Sequence, residues 1–271
     1  MKVAALQMVS SHRPEDNLAT ARQLLEHAAR AGAELAVLPE YFAGMGLQDT
    51  DKLEWQEAQG RGPIQDMLAS AALDLGLWVV GGTMPLRTPD PCRVRNTTLV
   101  FNPGGDCVAR YDKIHLFRYD NGNEHFDEGR VIEAGAQPVQ FTLTDRSGQH
   151  WTVGLSVCYD LRFPELYRRH AQAGADLLLV PSAFTHTTGQ AHWEVLLRAR
   201  AIENLAYVLA PAQGGRHSSG RLTWGHSMAI DPWGEVLALQ AQGTGVVLAE
   251  LEHARLTTVR QQLPALEHRV L

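Results

Sequence analysis

The chain has 271 residues, of which 45% are apolar and 20% charged, a composition that can bury a sizeable core. Its net charge is −6 and the charges are scattered, which argues against a nucleic-acid partner, because such proteins normally carry a basic stripe. Three cysteines do not form a disulfide framework. There is no signal-peptide pattern, and no apolar run approaches the roughly 20 residues that cross a bilayer. We therefore expect a soluble, cytoplasmic protein without a membrane partner.

The first half of the chain alternates between the patterns of buried strands and amphipathic helices. Helices are predicted over residues 14–31 and 64–75, the first opening with proline and acidic residues and ending at Gly32. The predicted strands are residues 2–8, 34–38, 77–83, 95–101 and 106–111. The turn Asn-Pro-Gly-Gly at 102–105 joins the last two strands as a hairpin.

The second half repeats this alternation and adds a second hairpin. Helices are predicted over residues 164–173 and 192–204. The predicted strands are residues 151–157, 176–180, 206–210, 222–230 and 235–239. The turn Asp-Pro-Trp-Gly at 231–234 separates the last two of them. Because no linker-like or low-complexity stretch divides the chain, we predict one domain, residues 1–271.

Two short segments resemble each other, and each closes a predicted strand–helix–strand unit. Residues 31–40 read AGAELAVLPE and residues 173–182 read AGADLLLVPS. Either the likeness is chance between two buried units, or the fold has two related halves. The mixture of helix–strand alternation with hairpins predicts an α/β fold with sheets of mixed direction. Helices that cover one side of each of two packed sheets satisfy both patterns.

Cys158 stands between a predicted strand and a predicted helix, with Pro164 near the helix start. A thiol there lies at the carboxyl end of a strand, where α/β folds place their binding crevices. It also lies near the positive end of a helix, which favours the thiolate. The alternative is a buried structural cysteine, the commonest fate of a free cysteine. Cys92, in a Pro-rich loop, and Cys107, in a hairpin, fit that alternative.

Two further residues have the chemistry that a nucleophilic thiol needs. Glu40 follows a predicted strand among apolar and aromatic residues, a setting that suits a general base. Lys113 leaves the first hairpin among alternating apolar residues, where an ammonium can stabilise an oxyanion and lower the thiol pKa. Considered one at a time, Glu40 could equally well be an ordinary loop glutamate, and Lys113 an ordinary lysine at a strand edge.

Three motifs around these residues make the chain similar to the nitrilase superfamily of carbon–nitrogen hydrolases. The motifs are LPEYF at 38–42, YDKIHLF at 111–117 and GLSVCYDLRFPE at 154–165. The likeness extends over essentially the whole chain, from residues 4–8 to the turn at 231–234. The family's catalytic set is Glu, Lys and Cys in this chain order. The resemblance therefore assigns those roles to Glu40, Lys113 and Cys158.

The resemblance implies a four-layer α-β-β-α sandwich of two mixed sheets, assembled as a homodimer or higher homo-oligomer. It implies that Glu128 positions Lys113 and the substrate. In the implied reaction Cys158 attacks an amide carbonyl while Glu40 takes the thiol proton. The backbone N–H of Tyr159, together with Lys113, stabilises the oxyanion. Ammonia then leaves, and water releases the acid from the thioester, so the resemblance implies no metal or organic cofactor.

The residues after Cys158 narrow the substrate, a small-molecule amide. The segment CYDLRF at 158–163 resembles the amidase branch of the family more than the true nitrilases. Arg162 is placed for a bidentate clamp on a substrate carboxylate, although pairing with Asp160 or Glu165 is an equal alternative. We expect Ser182, Phe184 and Thr185 to be further substrate contacts, and Asp160 and Glu203 to lie close by.

Two longer segments bear on which amide is cleaved. Residues 181–203 resemble both the deaminated-glutathione amidases and the ω-amidases that act on 2-oxoglutaramate. Residues 212–217 (AQGGRH) favour the first group. Hydrolysis of an N-carbamoyl amino acid is a further alternative.

The sequence supports three other classes of protein less well. Gly-His-Ser-Met-Ala at 225–229 nearly matches a serine-hydrolase elbow, but that elbow needs a strand followed by a helix, and Ser227 runs into a hairpin turn. Twelve histidines raise the idea of a zinc enzyme, yet none lies in a zinc-ligand motif. A non-catalytic binding protein on the same fold is disfavoured because Glu40, Lys113 and Cys158 are all present.

Overall fold

The structure is a computed structural model, and it describes residues 1–270. Its strands are β1 (Lys2–Gln7), β2 (Leu35–Val37), β3 (Trp78–Val80), β4 (Met84–Arg87), β5 (Val94–Phe101), β6 (Cys107–Asp112), β7 (Arg118–Asp120), β8 (His125–Asp127), β9 (Gln140–Thr144), β10 (His150–Leu155), β11 (Leu177–Leu179), β12 (Tyr207–Ala210), β13 (Ser227–Ile230), β14 (Val236–Gln240) and β15 (Gly245–Glu250). Its α-helices are α1 (Pro14–Arg30), α2 (Pro63–Leu75), α3 (Pro164–Gln172), α4 (His186–Asn204) and α5 (His253–Gln262). The predicted domain, residues 1–271, extends one residue past the described part.

The strands form two large sheets of mixed direction, as predicted. In the first sheet the order is β15-β1-β2-β3-β5-β4, with β6 beside β5. Strands β1, β2 and β3 are parallel, whereas β15 and β5 pair antiparallel at the two sides of this group. In the second sheet the order is β14-β13-β12-β11-β10-β9, with β10, β11 and β12 parallel and β9 and β13 antiparallel to their neighbours.

The two segments with similar sequences occupy equivalent places in the two sheets. Leu35–Val37 forms the central parallel strand β2, and Leu177–Leu179 forms the central parallel strand β11. Helix α1 precedes the first of these strands and helix α3 precedes the second. Each parallel trio is flanked by antiparallel strands on both sides. The chain therefore folds into two halves of related topology, the second of the two interpretations of the similar segments.

The two sheets pack face to face over a shared core. Because successive side chains of a strand point to opposite faces, Val3 and Val37 face the second sheet while their neighbours face away. Val3 and Val37 belong to the same buried cluster as Val153 and Leu177 of the second sheet. This cluster therefore joins the two sheets, and it continues to the helices on the outer face of the second sheet.

Helices cover the outer face of each sheet. Leu24 of α1 and Leu68 of α2 pack with Ala4 of β1 in a separate buried cluster. On the second sheet, Tyr167 of α3 and Trp193 of α4 are almost completely buried. The result is the predicted four-layer α-β-β-α sandwich. Within residues 1–270, no helix is both long enough and apolar enough to cross a membrane.

Several boundaries differ from the prediction. Helix α4 begins at His186 rather than at residue 192, because the Thr185 side chain accepts a hydrogen bond from the Thr188 N–H and caps the helix. The predicted strand over residues 222–230 forms only from Ser227. Strands β4, β7, β8, β9 and β15 and helix α5 were not predicted. Most of these elements are short or lie at an edge, where their local patterns are weak.

Candidate active site

Glu40 lies just beyond strand β2 and is held by four separate chain segments. Its carboxylate is 1% exposed. The Oε1 atom accepts hydrogen bonds from Asn96 Nδ2 and from Lys113 Nζ, each at 2.9 Å. The Oε2 atom accepts from the Ala183 N–H at 2.9 Å, and the Glu40 carbonyl accepts from Gln213 Nε2 at 3.0 Å. The carboxylate therefore has one defined orientation.

The backbone around Glu40 depends on a glycine. Gly82 has φ of 42°, and a Cβ there would lie 2.0 Å from the Pro39 carbonyl oxygen. Only glycine combines this conformation with so close an approach. The adjacent Thr83 accepts a hydrogen bond from the Tyr41 N–H through its Oγ1 at 2.9 Å, and Tyr41 itself has φ of 56°. The turn after β3 thus supports the turn that carries Glu40.

Lys113, just past strand β6, joins two carboxylates. Its Nζ lies 2.9 Å from Glu40 Oε1 and 2.8 Å from Glu128 Oε2. Glu128 also accepts from the Tyr41 hydroxyl and the Phe117 N–H, both at 2.7 Å. Burial by itself would lower the pKa of Lys113, but Glu128 and Glu40 raise it above its ordinary value. Lys113 is therefore a permanent cation.

The same contacts change the pKa of Glu128 in the opposite direction. Burial by itself would raise its pKa, but the Lys113 ammonium and the hydrogen bonds that the carboxylate accepts lower it below 4.5. The group is consequently a carboxylate at neutral pH. The structure brings Glu40, Lys113 and Glu128 into one buried network, as the sequence motifs predicted.

Cys158 opens a 3-10 helix, Cys158–Arg162, that follows strand β10. It is 7% exposed and has φ of 49°, a conformation that non-glycine residues adopt rarely and mainly at functional sites. Its N–H donates to the Pro181 carbonyl at 3.0 Å. Like Glu40 and Lys113, it follows the end of a strand.

The charge balance at Cys158 differs from the expectation that a helix start favours the thiolate. Burial raises the pKa of the thiol well above 9.0, and the Glu40 carboxylate raises it further. Lys113 and the Ala183 N–H act in the other direction but do not outweigh burial. The resting group is therefore a thiol, and its reaction as a nucleophile requires a neighbouring base.

The 3-10 helix that carries Cys158 is anchored by a fully buried carboxylate. Asp160 Oδ2 accepts from the Val157 N–H at 2.8 Å and from the Tyr111 hydroxyl at 2.6 Å. Its Oδ1 accepts from the His115 N–H at 3.0 Å and contacts the His115 ring at 2.7 Å. These contacts tie the turn after β10 to the segment that carries Lys113.

The far end of the same 3-10 helix is anchored from α4. Arg200 donates to the Leu161 carbonyl at 2.8 Å and forms a salt bridge with Glu203 at 2.8 Å. Asp160 and Glu203 thus lie close to the site, as expected, and both support its backbone.

A narrow pocket opens onto Cys158. Its lining residues are Glu40, Phe117, Glu128, Cys158, Tyr159, Arg162, Ala183, Phe184, Thr185, Thr188 and Arg221. The Arg162 guanidinium lies over the rings of Tyr159 and Phe184, at 5.8 and 5.5 Å from their centroids, and contacts His192 Nδ1 at 3.2 Å. Among residues 1–270 it has no salt bridge, so the alternative pairing with Asp160 or Glu165 is absent.

Of the other three predicted substrate contacts, two line the pocket and one does not. Phe184 and Thr185 line the pocket, and the Thr185 hydroxyl also caps α4. Ser182 requires a correction, because its fully buried hydroxyl donates to the Val180 carbonyl at 3.0 Å and it does not line the pocket. The strand-like backbone around residue 182 turns alternate side chains away from the pocket, a detail that the loop prediction could not resolve.

Several residues of the site were missed. Asn96 and the Ala183 N–H orient Glu40, whereas Arg221 lines the pocket. Asn96 lies in the middle of a predicted strand, where a buried amide is unusual and gives a weak signal. Arg221 follows a Ser-Ser-Gly turn and resembles any surface arginine in the sequence. Only the tertiary structure identifies it.

The rival sites are not assembled. Ser227 lies in strand β13, where its hydroxyl accepts from the Ala212 N–H at 2.8 Å, and no strand-to-helix elbow surrounds it. His217 is buried between the Ser10 carbonyl and the Thr223 hydroxyl. In the part of the chain that the structure describes, no group of three or more His, Cys, Asp or Glu side chains is arranged to hold a metal ion.

Comparison with known proteins agrees with this fold. The family model described as carbon-nitrogen hydrolase matches residues 2–261. The chain belongs to the carbon–nitrogen hydrolase family, within the nitrilase superfamily. It is a hydrolase that acts on carbon–nitrogen bonds other than peptide bonds, in linear amides. The predicted family, fold and enzyme class are thereby confirmed.

Particular relatives are similar over nearly the full length. A deaminated glutathione amidase of Synechocystis sp. is 43% identical over 270 residues, which are 98% of this chain and 97% of the relative. The crystal structure of the Caenorhabditis elegans NitFhit protein superposes with a TM-score of 0.89 at 35% identity, over 99% of this chain. This chain spans 65% of that longer protein, less than two thirds of its length.

A third relative is described by its active site. An amidase mutant from Nesterenkonia sp. AN1, in which acrylamide has added to the active-site cysteine, superposes with a TM-score of 0.78 at 27% identity. The match covers 97% of this chain and 98% of that one.

Proposed function

We propose that this hydrolase cleaves deaminated glutathione through a thioester on Cys158. The observation that carries the proposal is the Lys113 ammonium, held between Glu40 and Glu128, two carboxylates that line the same pocket as Cys158. The Synechocystis relative, a deaminated glutathione amidase, supports the substrate. The Nesterenkonia amidase, with its alkylated active-site cysteine, supports the use of a thiol nucleophile.

Acylation begins when Glu40 takes the proton of the Cys158 thiol as sulfur attacks the amide carbonyl. The C–S bond forms as the carbonyl π bond opens, and the oxygen becomes an oxyanion. Lys113 and the Tyr159 N–H stabilise that oxyanion; donors of this kind contribute about 3–4 kcal/mol each. Tyr159 suits this role because the first N–H groups of a helix have no partner within it.

The tetrahedral intermediate then collapses. Its C–N bond breaks, and Glu40 returns the proton to the departing nitrogen, so that a neutral amine leaves and the thioester remains. In the second half-reaction Glu40 takes a proton from water, hydroxide adds to the thioester, and the thiol is reprotonated as the acid leaves. Glu128 fixes Lys113 throughout, because it accepts two hydrogen bonds from that ammonium.

The leaving group depends on the substrate. A primary amide such as 2-oxoglutaramate releases ammonia, the product expected from the family resemblance. Deaminated glutathione instead releases a dipeptide amine, because its amide nitrogen is the amino nitrogen of cysteinylglycine. In both substrates a carboxylate lies on the acyl side of the scissile bond. Arg162, which has no salt bridge among residues 1–270, is the proposed clamp for that carboxylate.

The remaining candidates for substrate contact are Phe184 and Thr185, which line the pocket beside Arg162. An ω-amidase acting on 2-oxoglutaramate is the second candidate function, because the Arg162 clamp serves that substrate equally well. Hydrolysis of an N-carbamoyl amino acid is the third.

The test is a comparison of kcat/KM for deaminated glutathione, 2-oxoglutaramate, a nitrile and an N-carbamoyl amino acid, with the products followed by mass spectrometry. We expect deaminated glutathione to be the best substrate. A larger value for any other compound would replace the proposed substrate. Cys158→Ser should abolish turnover, while Cys92→Ser, at an exposed cysteine, should retain it. Full activity in Cys158→Ser would contradict the thioester mechanism.

The proposal also covers the domain organisation, oligomeric state and cellular location of the enzyme. We propose a single domain that forms a homodimer, because the exposed side of α4 carries Val195 and Ile202, which are 62% and 45% exposed, close to the exposed Trp233. We also propose a cytoplasmic location, which suits the three free cysteines. Light scattering on the purified protein tests the dimer, and a monomer mass would exclude it.

A further inference from the structure

We propose that Arg221 forms a second anion subsite, which binds a carboxylate on the leaving amine of the substrate. The inference rests on the proposed function and extends it: the preferred substrate is an amide that carries an anionic group on both sides of the scissile bond. Arg162 takes the acyl-side carboxylate, and Arg221 takes the carboxylate of the departing amine.

The first observation is that internal contacts use little of the Arg221 guanidinium. Its Nη2 makes one long hydrogen bond, 3.4 Å, to the Ala183 carbonyl, and its Nε is buried without a partner. The guanidinium lies 4.8 Å from the centre of the Phe126 ring. Among residues 1–270, Arg221 forms no salt bridge. A partly buried guanidinium in this state is a strong site for a carboxylate, which it can bind through two parallel hydrogen bonds.

The second observation is that the nearby carboxylates have partners other than Arg221. Glu128 is occupied by Lys113 at 2.8 Å. Asp49 pairs with Lys52 at 3.7 Å, and Asp127 accepts from the Gly129 N–H at 3.1 Å. Each of these three carboxylates therefore has another partner. The charge of Arg221 is left for a group that comes from outside the chain.

The third observation is the position of Arg221 between cavities. It lines the pocket that contains Cys158, and it also lines two adjoining cavities, of which the larger has a volume of about 290 Å³. The larger cavity is walled by the loop at 44–49, together with Lys52 and His125. Arg221 therefore stands between the pocket of Cys158 and a space far larger than an ammonia molecule needs. This is the room that an extended leaving group requires.

The two arginines belong to different sides of the pocket. Arg162 packs on Tyr159 and Phe184. Arg221 packs on Phe126 and opens to the larger cavities. We assign the acyl group to the Arg162 side, and the amine, which must depart, to the Arg221 side. An unpaired cation there favours only those amides whose amine carries a negative charge.

The experiment uses two matched substrates, deaminated glutathione and its analogue in which the glycine carboxylate is a neutral carboxamide. For the wild-type enzyme we expect kcat/KM to be about 10- to 100-fold higher for the carboxylate form, the range of a charge-assisted hydrogen bond. In Arg221→Met the two substrates should become nearly equal. Arg221→Lys should recover part of the preference, because it keeps the charge without the planar fork.

Two controls make the result specific. Arg216→Met changes an exposed arginine of the same loop and should leave the substrate ratio at its wild-type value. Arg162→Met should lower kcat/KM for both substrates and leave their ratio unchanged. Because the ratio is taken within one variant, partial misfolding of Arg221→Met does not affect it.

The outcomes separate the two proposals. If the wild-type enzyme cleaves neither substrate, the proposed function fails, and this inference fails with it. If the wild type cleaves both substrates equally, or if Arg221→Met keeps the wild-type ratio, the amidase proposal stands and the Arg221 subsite is wrong.

Discussion

Cys158 is surrounded by groups that oppose each other. Burial and the Glu40 carboxylate raise the pKa of its thiol, while Lys113 and the Ala183 N–H lower it. Glu40 therefore disfavours the resting thiolate and, in the proposed mechanism, accepts the proton when the thiol attacks. In that mechanism the buried thiol stays unreactive until a carbonyl is in place, because the charge then moves directly from sulfur to an oxyanion that Lys113 stabilises.

Glu40→Gln should lower the pKa of Cys158, because it removes a neighbouring negative charge that destabilises the thiolate. The pH at which iodoacetamide alkylation of Cys158 rises should move down in this variant. Amide turnover should nevertheless fall, by about 100- to 10,000-fold, since the base is lost. Mass spectrometry of the alkylated peptide gives the rate, and the exposed Cys92 serves as an internal control. An unchanged or higher midpoint would contradict the charge balance described here.

At the scale of the elements, the site is built where strands end. Glu40 follows β2, Lys113 follows β6 and Cys158 follows β10, so all three lie in the turns that leave the sheets. Turns can direct side chains into a pocket because their backbone is not constrained by the hydrogen bonds between strands. They hold those side chains still only when the turns are themselves fixed. Gly82 and Asp160 provide that support.

Gly82→Ala should displace the turn that carries Glu40, because the new Cβ would lie 2.0 Å from the Pro39 carbonyl. We expect kcat to fall about 10- to 100-fold, as a shift of about 1 Å in a catalytic group does. Gly76→Ala is the matched control: Gly76 has φ of 60° but open space around it, so it should cost about 1–2 kcal/mol of stability and leave kcat unchanged. Equal effects on kcat in the two variants would refute the role given to Gly82.

Asp160→Asn should destabilise the protein by about 2–5 kcal/mol, because it removes the charge that the Tyr111 hydroxyl and two backbone N–H groups stabilise in a fully buried place. Urea unfolding of the purified variant measures the loss. Asp106→Asn, in an exposed turn, should change stability by less than about 0.5 kcal/mol. A similar small change at residue 160 would show that the buried network is not needed to hold the turn of Cys158.

At the scale of the whole molecule, the two related halves are not independent. The buried cluster between the sheets contains residues of both halves, among them Val3, Val37, Val153 and Leu177. The pocket also draws on both halves, because Glu40 and Lys113 come from the first and Cys158 from the second. The site therefore exists only when the two sheets are packed together.

Leu177→Ala should lower the stability of the whole chain by about 2–5 kcal/mol, since Leu177 is fully buried between the sheets. Unfolding followed by tryptophan fluorescence and by far-UV circular dichroism should give one shared transition for the variant and for the wild type. Leu73→Ala, at a leucine that is 59% exposed, should change stability by less than about 0.5 kcal/mol. Two separate transitions would show that the halves unfold independently, against the proposed single domain.

The strongly periodic parts of the fold were predictable from the sequence. Helix α1 and the central strands β2 and β11 appear within a few residues of their predicted places, because local patterns of apolar residues dictate them. Strand β15 was missed although it pairs with β1 along its whole length. Its partner lies more than two hundred residues away in the chain, and local pattern carries no information about such pairing.

The site, like the fold, has parts that the sequence predicts and parts that depend on tertiary contacts. The motifs around Glu40, Lys113 and Cys158 determined by themselves which residues are proposed as the reacting groups, because their resemblance to the nitrilase superfamily assigns the catalytic roles to these three side chains. Only the tertiary structure decided that Ser182 turns away, that the Ala183 N–H orients Glu40, and that Arg221 reaches the pocket. The physical reason is distance along the chain: those contacts form when two packed sheets bring together turns that no local pattern connects.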